Sequence, residues 1–292
     1  MLKKIRMKPS KLALFAAIPA TLLAMSLLLT NQDVRNKVLG VGLTYQPVAQ
    51  AKQKLLLELR IAEGREIQGQ ASQSPIETSE SSSLEAEIEE SVQGVSDSQF
   101  DLIYRLTQMR SEQYAWRQGK SGKLLDEKWE AHVNALGPLA DCKNLGDNPS
   151  PWLQPQNLEG WLSALWLGLP HERVRIMDAW SAETQVPLKA REFRDPLVLL
   201  QRFNYHLTRM YEQGGIPLAQ IEWTGTVTAL PPATGSGKLN GAAVIDMRTK
   251  LCLQADFNLD QELHAPIPGL PGGEDEAVIF AWHQKQHGTV KR

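Results

Sequence analysis

Cysteine is scarce: Cys142 and Cys252 are the only two in 292 residues, so the chain can close at most one disulfide. That bond would enclose a loop of about 110 residues and contribute roughly 4–5 kcal/mol by loop entropy. Two unpaired thiols are the equal alternative, because sequence does not set the distance between them. Excess positive charge is absent as well. With 31 Lys and Arg against 33 Asp and Glu the net charge is −2, which leaves no positive field to attract nucleic acid.

Catalytic signatures are missing too. No G-x-S-x-G elbow occurs, His171-Glu172 lacks the second histidine of an HExxH helix, and no D-x-D pattern is present. Gly235-Ser236-Gly237-Lys238 is phosphate-loop-like, but Pro232 and Leu239 stand where that motif needs glycine and Ser or Thr. It is read as a flexible turn between two strands. His283 and His287 lie four apart without further ligands nearby, too few to hold a metal. No catalytic residue, metal or cofactor is expected.

What is present begins with an 18-residue uncharged run, Leu12 to Leu29, preceded by Lys3, Lys4, Arg6, Lys8 and Lys11. At about 1.5 Å per residue a helix over this run is close to the thickness of a bilayer core. The basic residues hold the amino terminus in the cytoplasm. The reading is a single-pass bacterial inner-membrane protein, with a basic tail at 1–11, a transmembrane helix at 12–30 and the remainder in the periplasm. The bilayer is its first partner.

A juxtamembrane helix is expected at 31–67, because Leu55, Leu56, Leu59, Ala62 and Glu63 recur at helical spacing. Its Leu55/Leu59 seam suits a partner helix, though it is short for a coiled coil. Residues 68–97 read as a disordered linker: the stretch Ile67–Asp97 carries eight serines and seven acids with no Lys, Arg or aromatic residue. A helical hairpin follows at 98–140, with stripes Phe100, Ile103, Leu106 and Met109, then Leu125, Trp129, Val133 and Leu136. From 157 to 292 an α+β domain is expected. It opens with a helix at Asn157 carrying Leu158, Trp161, Leu162, Leu165 and Trp166, and strands follow at Arg173–Trp180 and Thr184–Arg191. Pro187 in the second of these strands demands a sheet edge. Asp195-Pro196 starts a second helix that stops at Gly214-Gly215. Strands at Ala219–Leu230, Asn240–Arg248, Leu251–Leu259 and Ala277–His283 complete the domain.

This α-β-β-α-β-β order resembles the ferredoxin-like periplasmic domains of PilN and PilO from type IV pili, and of GspL and GspM from type II secretion. The match is closest over LVLLQRFNYHLTRMYEQGGIPLAQIEWTG (197–225), with LPHERVRIMDAW (169–180) similar to the family's first turn and strand. The resemblance implies a non-catalytic scaffold that assembles, as a homo- or hetero-oligomer, with other parts of an envelope-spanning machine. Two other functions stay open: an envelope enzyme acting on peptidoglycan or polysaccharide, and a ligand-binding domain. Leu55, Leu59, Trp152 and Trp223 are the interface candidates, since large apolar and aromatic side chains anchor protein contacts.

Overall fold

Period-two alternation governs the chain from Lys52 onward. The computed structural model describes residues 40–68, 76–96, 99–111, 126–146, 155–188, 193, 196–267 and 278–292. Its strands are β1 (Lys52–Gln68), β2 (Ile76–Val95), β3 (Gln99–Ser111), β4 (Lys128–Asn134), β5 (Leu139–Asn144), β6 (Ala179–Leu188), β7 (Leu197–Gln213), β8 (Ile216–Ala229), β9 (Thr234–Asp246), β10 (Leu251–Pro266) and β11 (Ile279–Lys291). Among the described residues there is one helix, α1 (Pro155–Leu162), which runs into a 3-10 turn at Ser163–Leu165.

All eleven strands form one antiparallel sheet in the order β5-β4-β3-β2-β1-β11-β10-β9-β8-β7-β6, curled into a half-barrel. Every neighbour in that order is consecutive in sequence except β1 and β11, which meet in the middle. The connection from β5 to β6 must therefore carry the chain from one edge of the sheet to the other. It does so across the concave side, where α1 packs on β5, β6 and β11 and the 3-10 turn packs on β10.

Burial follows the pleat. Leu55, Leu57 and Leu59 of β1 point inward opposite Ile88, Ala86 and Leu84 of β2, and Phe100, Leu102, Tyr104 and Leu106 extend the same layer on β3. The convex face is polar, with Asp256, Asn258 and Asp260 of β10 beside Thr289, His287 and Lys285 of β11. Two glycines shape the interior: a Cβ on Gly241 would stand 2.2 Å from Trp223 Cζ2, and one on Gly288 would stand 2.3 Å from Phe257 Cζ. The two rings lie against bare backbone that any side chain would displace.

The fold corrects the expected α+β class. Of the juxtamembrane helix at 31–67, residues 52–67 lie in strand β1 and residues 40–51 are irregular chain with a bridge at Val41, and the linker of 68–97 contributes strand β2. The hairpin of 98–140 is strands β3, β4 and β5, and the second domain helix, Asp195–Gly214, is strand β7. Its neighbour at Arg173–Trp180 is mostly turn, with one bridge between Val174 and Val41. There is no ferredoxin-like unit, helical hairpin or coiled coil among the described residues. The physical cause is a degeneracy: residues four apart share a face in a strand as well as in a helix. In β7 the buried set is Leu197, Leu199, Tyr205 and Leu207, whose odd-number spacing is period two. In β2 the acids that suggested disorder alternate with Leu84, Ala86, Ile88 and Val92. Glu87 and Glu89 are met across the ladder by Lys54 at 2.5 Å and Lys52 at 3.8 Å.

Among the described residues no helix is long and apolar enough to cross a membrane, which overturns the inner-membrane localisation as a structural statement. The run Leu12–Leu29, the span at 12–30 and the basic tail at 1–11 lie outside the described residues. Some other expectations agree with the structure. The helix expected at Asn157 begins two residues earlier, at Pro155, and ends at Leu162; Leu158, Trp161 and Leu162 on it, Leu165 in the 3-10 turn and Trp166 just after the turn are all buried. β8 alternates as its pattern requires, and Pro187 sits on β6, an edge strand.

Candidate functional site

The concave face carries two separate apolar cores. The larger joins β1 to β4 with α1, the 3-10 turn and Val41, Leu43 and Tyr45, and continues across the sheet through Tyr205, Leu207, Ile221, Trp223, Ile245 and Phe257. The smaller gathers Leu197, Leu199, Val227, Ala229, Leu263, Ala265, Phe280 and Trp282 near the opposite ends of β7, β8, β10 and β11. Between them lies a cavity of about 240 Å³. This is just below the roughly 300–1,000 Å³ common for small-molecule pockets.

Strand register explains why the cavity sits there. Reading across the sheet, the inward layer at Ile61 continues through Gln286, Leu259, Leu239, Gly225, Phe203 and Ala182. The layer beyond it runs Glu63, Gln284, Gln261, Gly237, Val227, Gln201 and Thr184. Gly225 and Gly237 contribute no side chain to the interior, so neither layer fills its space. Aromatic rings make the floor: Trp180 stacks on Tyr205 at 5.6 Å, Phe203 stacks on Tyr205 at 5.7 Å, and Trp223 tilts against Tyr205 at 6.3 Å. Trp161, Ala164 and Trp166 from α1 and the turn form one wall, and Val186 and Leu188 of the edge strand form another.

Polar residues line it as well, among them Glu63, Glu159, Glu183, Gln261, Gln284 and Gln286. A chain of side-chain hydrogen bonds crosses three strands: Gln261 Nε2 donates to Gln284 Oε1 at 2.9 Å, and Gln284 Nε2 donates to Glu63 Oε1 at 3.0 Å. Arg65 donates to the other oxygen of Glu63 at 3.0 Å. Glu159, at the helix side, has its carboxyl raised above the ordinary range by burial, an effect opposed by the Cys142 N–H. Gln261 and Trp282 both line the cavity, and Gln261 Oε1 and Trp282 Nε1 are buried without a hydrogen-bond partner among the described residues.

The sequence-derived site residues scatter on this frame. Leu55 and Leu59 are 0% and 2% exposed in the larger core, on the concave face and away from any outer surface. Trp223 is buried and lines the cavity, and Trp152 lies outside the described residues. Cys142 on β5 and Cys252 on β10 are free thiols with five strands between them in the sheet order, and burial pushes both up to about 12. His283 and His287 stand on the convex face, where they bond Asp260 at 3.1 Å and Asn258 at 2.9 Å. No group of three potential metal ligands occurs among the described residues. Gly235-Ser236-Gly237-Lys238 lies inside β9, where its two glycines face the interior and are not a turn.

Sequence reasoning passed over Gln261 and Gln284, and placed Glu63 only on the stripe of an expected helix. Their one signal is a polar residue at an inward position of an otherwise apolar alternation, as in Leu259-Gln261-Leu263 and Leu59-Ile61-Glu63. No family model matches this chain, and no curated protein matches it.

Proposed function

We propose that the chain is a non-catalytic binding protein that holds the apolar tail of an amphiphile in the seam between its two cores. One observation carries this reading: an apolar, ring-lined cavity persists where the rest of the concave face is packed. Packed interiors leave few voids larger than a water molecule, so an apolar space of this size suits an apolar occupant. The lining, with Trp223, Phe257, Phe203 and Leu259 below and Trp161 and Val186 at the sides, offers van der Waals contact, and its charged residues are Glu63, Glu159 and Glu183. The assembly role expected from sequence drew its support from an element order that this fold does not have. A ligand-binding domain, one of the readings left open, is the one the geometry favours.

The test is titration calorimetry with dodecyl maltoside below its micelle-forming concentration. Wild-type protein binds saturably. Val186→Trp, on the edge strand, fills part of the seam; excluding two methylenes at about 0.8 kcal/mol each weakens binding about tenfold. The thermal midpoint stays within a few degrees of wild type. Equal affinity of both proteins, or no saturable binding by wild type, refutes the reading.

A further inference from the structure

The sheet has two edges, and only one of them is guarded against pairing. Strand β5, at one edge, is six residues long, its register with β4 breaks between Glu130 and His132, and Asp141 within it has a φ of +55°. The Cys142 N–H next to that break is taken by the Glu159 carboxylate of α1, so the helix occupies part of the edge itself. Short length, a bulge and a covering element are the devices that keep a strand from adding another. Strand β6, at the other edge, is built differently. Its ten residues pair with β7 in unbroken register, include no Lys, and meet a proline only at the next-to-last position, Pro187.

The neighbouring strand shows which backbone groups of β6 are unused. Leu207 donates to Asp178 and accepts from Met177 on the β6 side, whereas the Val198 carbonyl accepts from Leu230 on the β8 side. Up to Leu207, odd residues of β7 therefore face β6 and even ones face β8. Odd residues of β6 stand opposite even residues of β7, so Ser181, Glu183 and Gln185 turn their N–H and C=O outward, with no backbone partner among the described residues. Water can serve those groups, but it does not suit the side chains beside them. Trp180, Val186 and Leu188 point inward and are only half-buried, whereas Leu197, Leu199, Tyr205 and Leu207 on β7 are buried.

A second copy of the chain supplies a matching strand. Antiparallel pairing about a two-fold axis sets odd residues opposite odd and even opposite even, so inward faces meet in every such register. Glu183, the one charged residue of β6, bonds Arg202 at 2.7 Å. An axis at Glu183 would oppose two carboxylates, but an axis at Ala182 or Thr184 sets Glu183 opposite Ser181 or Gln185 and brings no like charges together. A net charge of −2 leaves little repulsion between copies, and the guarded β5 edge stops the assembly at two.

We infer that two copies of the chain associate through β6, edge to edge and antiparallel, into one continuous sheet. Sedimentation equilibrium of the full chain gives a dimer. Gln185→Pro removes an outward N–H that the single copy does not use; it costs the dimer two bonds and weakens association about thirtyfold, with the circular dichroism unchanged. In a Cys142→Ala background, Ala182→Cys or Thr184→Cys, whichever sits on the axis, bridges the copies under mild oxidation, because Cα atoms of a non-hydrogen-bonded pair lie about 4.5 Å apart. Ala140→Cys on β5 gives no bridge. A chain that stays monomeric at its highest soluble concentration overturns the inference. So does a dimer that Gln185→Pro leaves intact, or one that neither Ala182→Cys nor Thr184→Cys bridges, since its interface then lies elsewhere. A monomer whose Ser181, Glu183 and Gln185 amides are protected from hydrogen exchange has its own chain on that edge, and this too overturns it.

Discussion

Arg292→Ala is expected to destabilise the protein by about 3–5 kcal/mol, a large share of the stability of an ordinary domain. The guanidinium is 2% exposed and faces a Glu90 carboxylate that is 1% exposed. Arg292 Nη2 reaches both carboxylate oxygens at 3.0 and 2.9 Å, and Nε reaches the first at 3.2 Å. Nη1 donates to the Cys252 carbonyl at 2.6 Å, and the charge sits 4.7 Å over the Trp166 ring. Burial alone would draw the guanidinium downward, but Glu90 holds it above its ordinary value. Removing Arg292 leaves the buried Glu90 carboxyl without its ion-pair partner, and that uncompensated burial dominates the loss. The double variant Glu90→Leu/Arg292→Met, which removes both charges, should recover most of it. Denaturant unfolding of the three proteins decides the matter; a loss below about 1 kcal/mol in Arg292→Ala would contradict a buried pair.

Trp166→Ala should cost a similar 3–5 kcal/mol, at the upper end for a large buried side chain. Trp166 is 1% exposed where the turn after α1 meets the sheet. Its Nε1–H donates to Tyr104 Oη at 2.9 Å, and Tyr45 meets its ring edge-on at 4.8 Å. The ring is also the face on which Arg292 rests, so truncation opens a cavity and exposes a buried charge together. Trp166→Phe keeps most of the volume and loses the hydrogen bond and part of the cation contact, at about 1–2 kcal/mol. Thermal unfolding that ranks Phe with Ala would place the hydrogen bond above packing, contrary to this account.

Both residues illustrate how far the sequence could be read. Glu90 lies in the serine-rich acidic stretch, where composition argued for disorder; its inward position follows from Leu84, Ala86, Ile88 and Val92, an alternation that composition hides. Trp166 was expected on the apolar face of a helix; that helix ends at Leu162 and Trp166 follows the 3-10 turn, but it is buried with Leu158, Trp161, Leu162 and Leu165 as their shared stripe implied. Leu55 with Leu59, and Leu197 with Phe203 and Leu207, fit both periods, and the choice between them rests on pairing with distant strands. β1 pairs with β11 more than two hundred residues away, so no local window contains that information. Trp223 was singled out for an interface and lies instead on the cavity floor, on the inner side of the half-barrel. The Gln261–Gln284–Glu63 belt was illegible for the same reason: it exists only once three strands are in register.

The seam itself is tested most directly by tryptophan emission. Of the eight tryptophans, Trp161, Trp166, Trp223 and Trp282 line the cavity. Dodecyl maltoside brominated on its alkyl chain, added below its micelle-forming concentration, should quench that emission saturably, and unbrominated detergent should reverse the quenching. Emission that stays unchanged over the same range, or quenching that grows linearly without saturation or competition, would contradict an alkyl chain seated between the two cores.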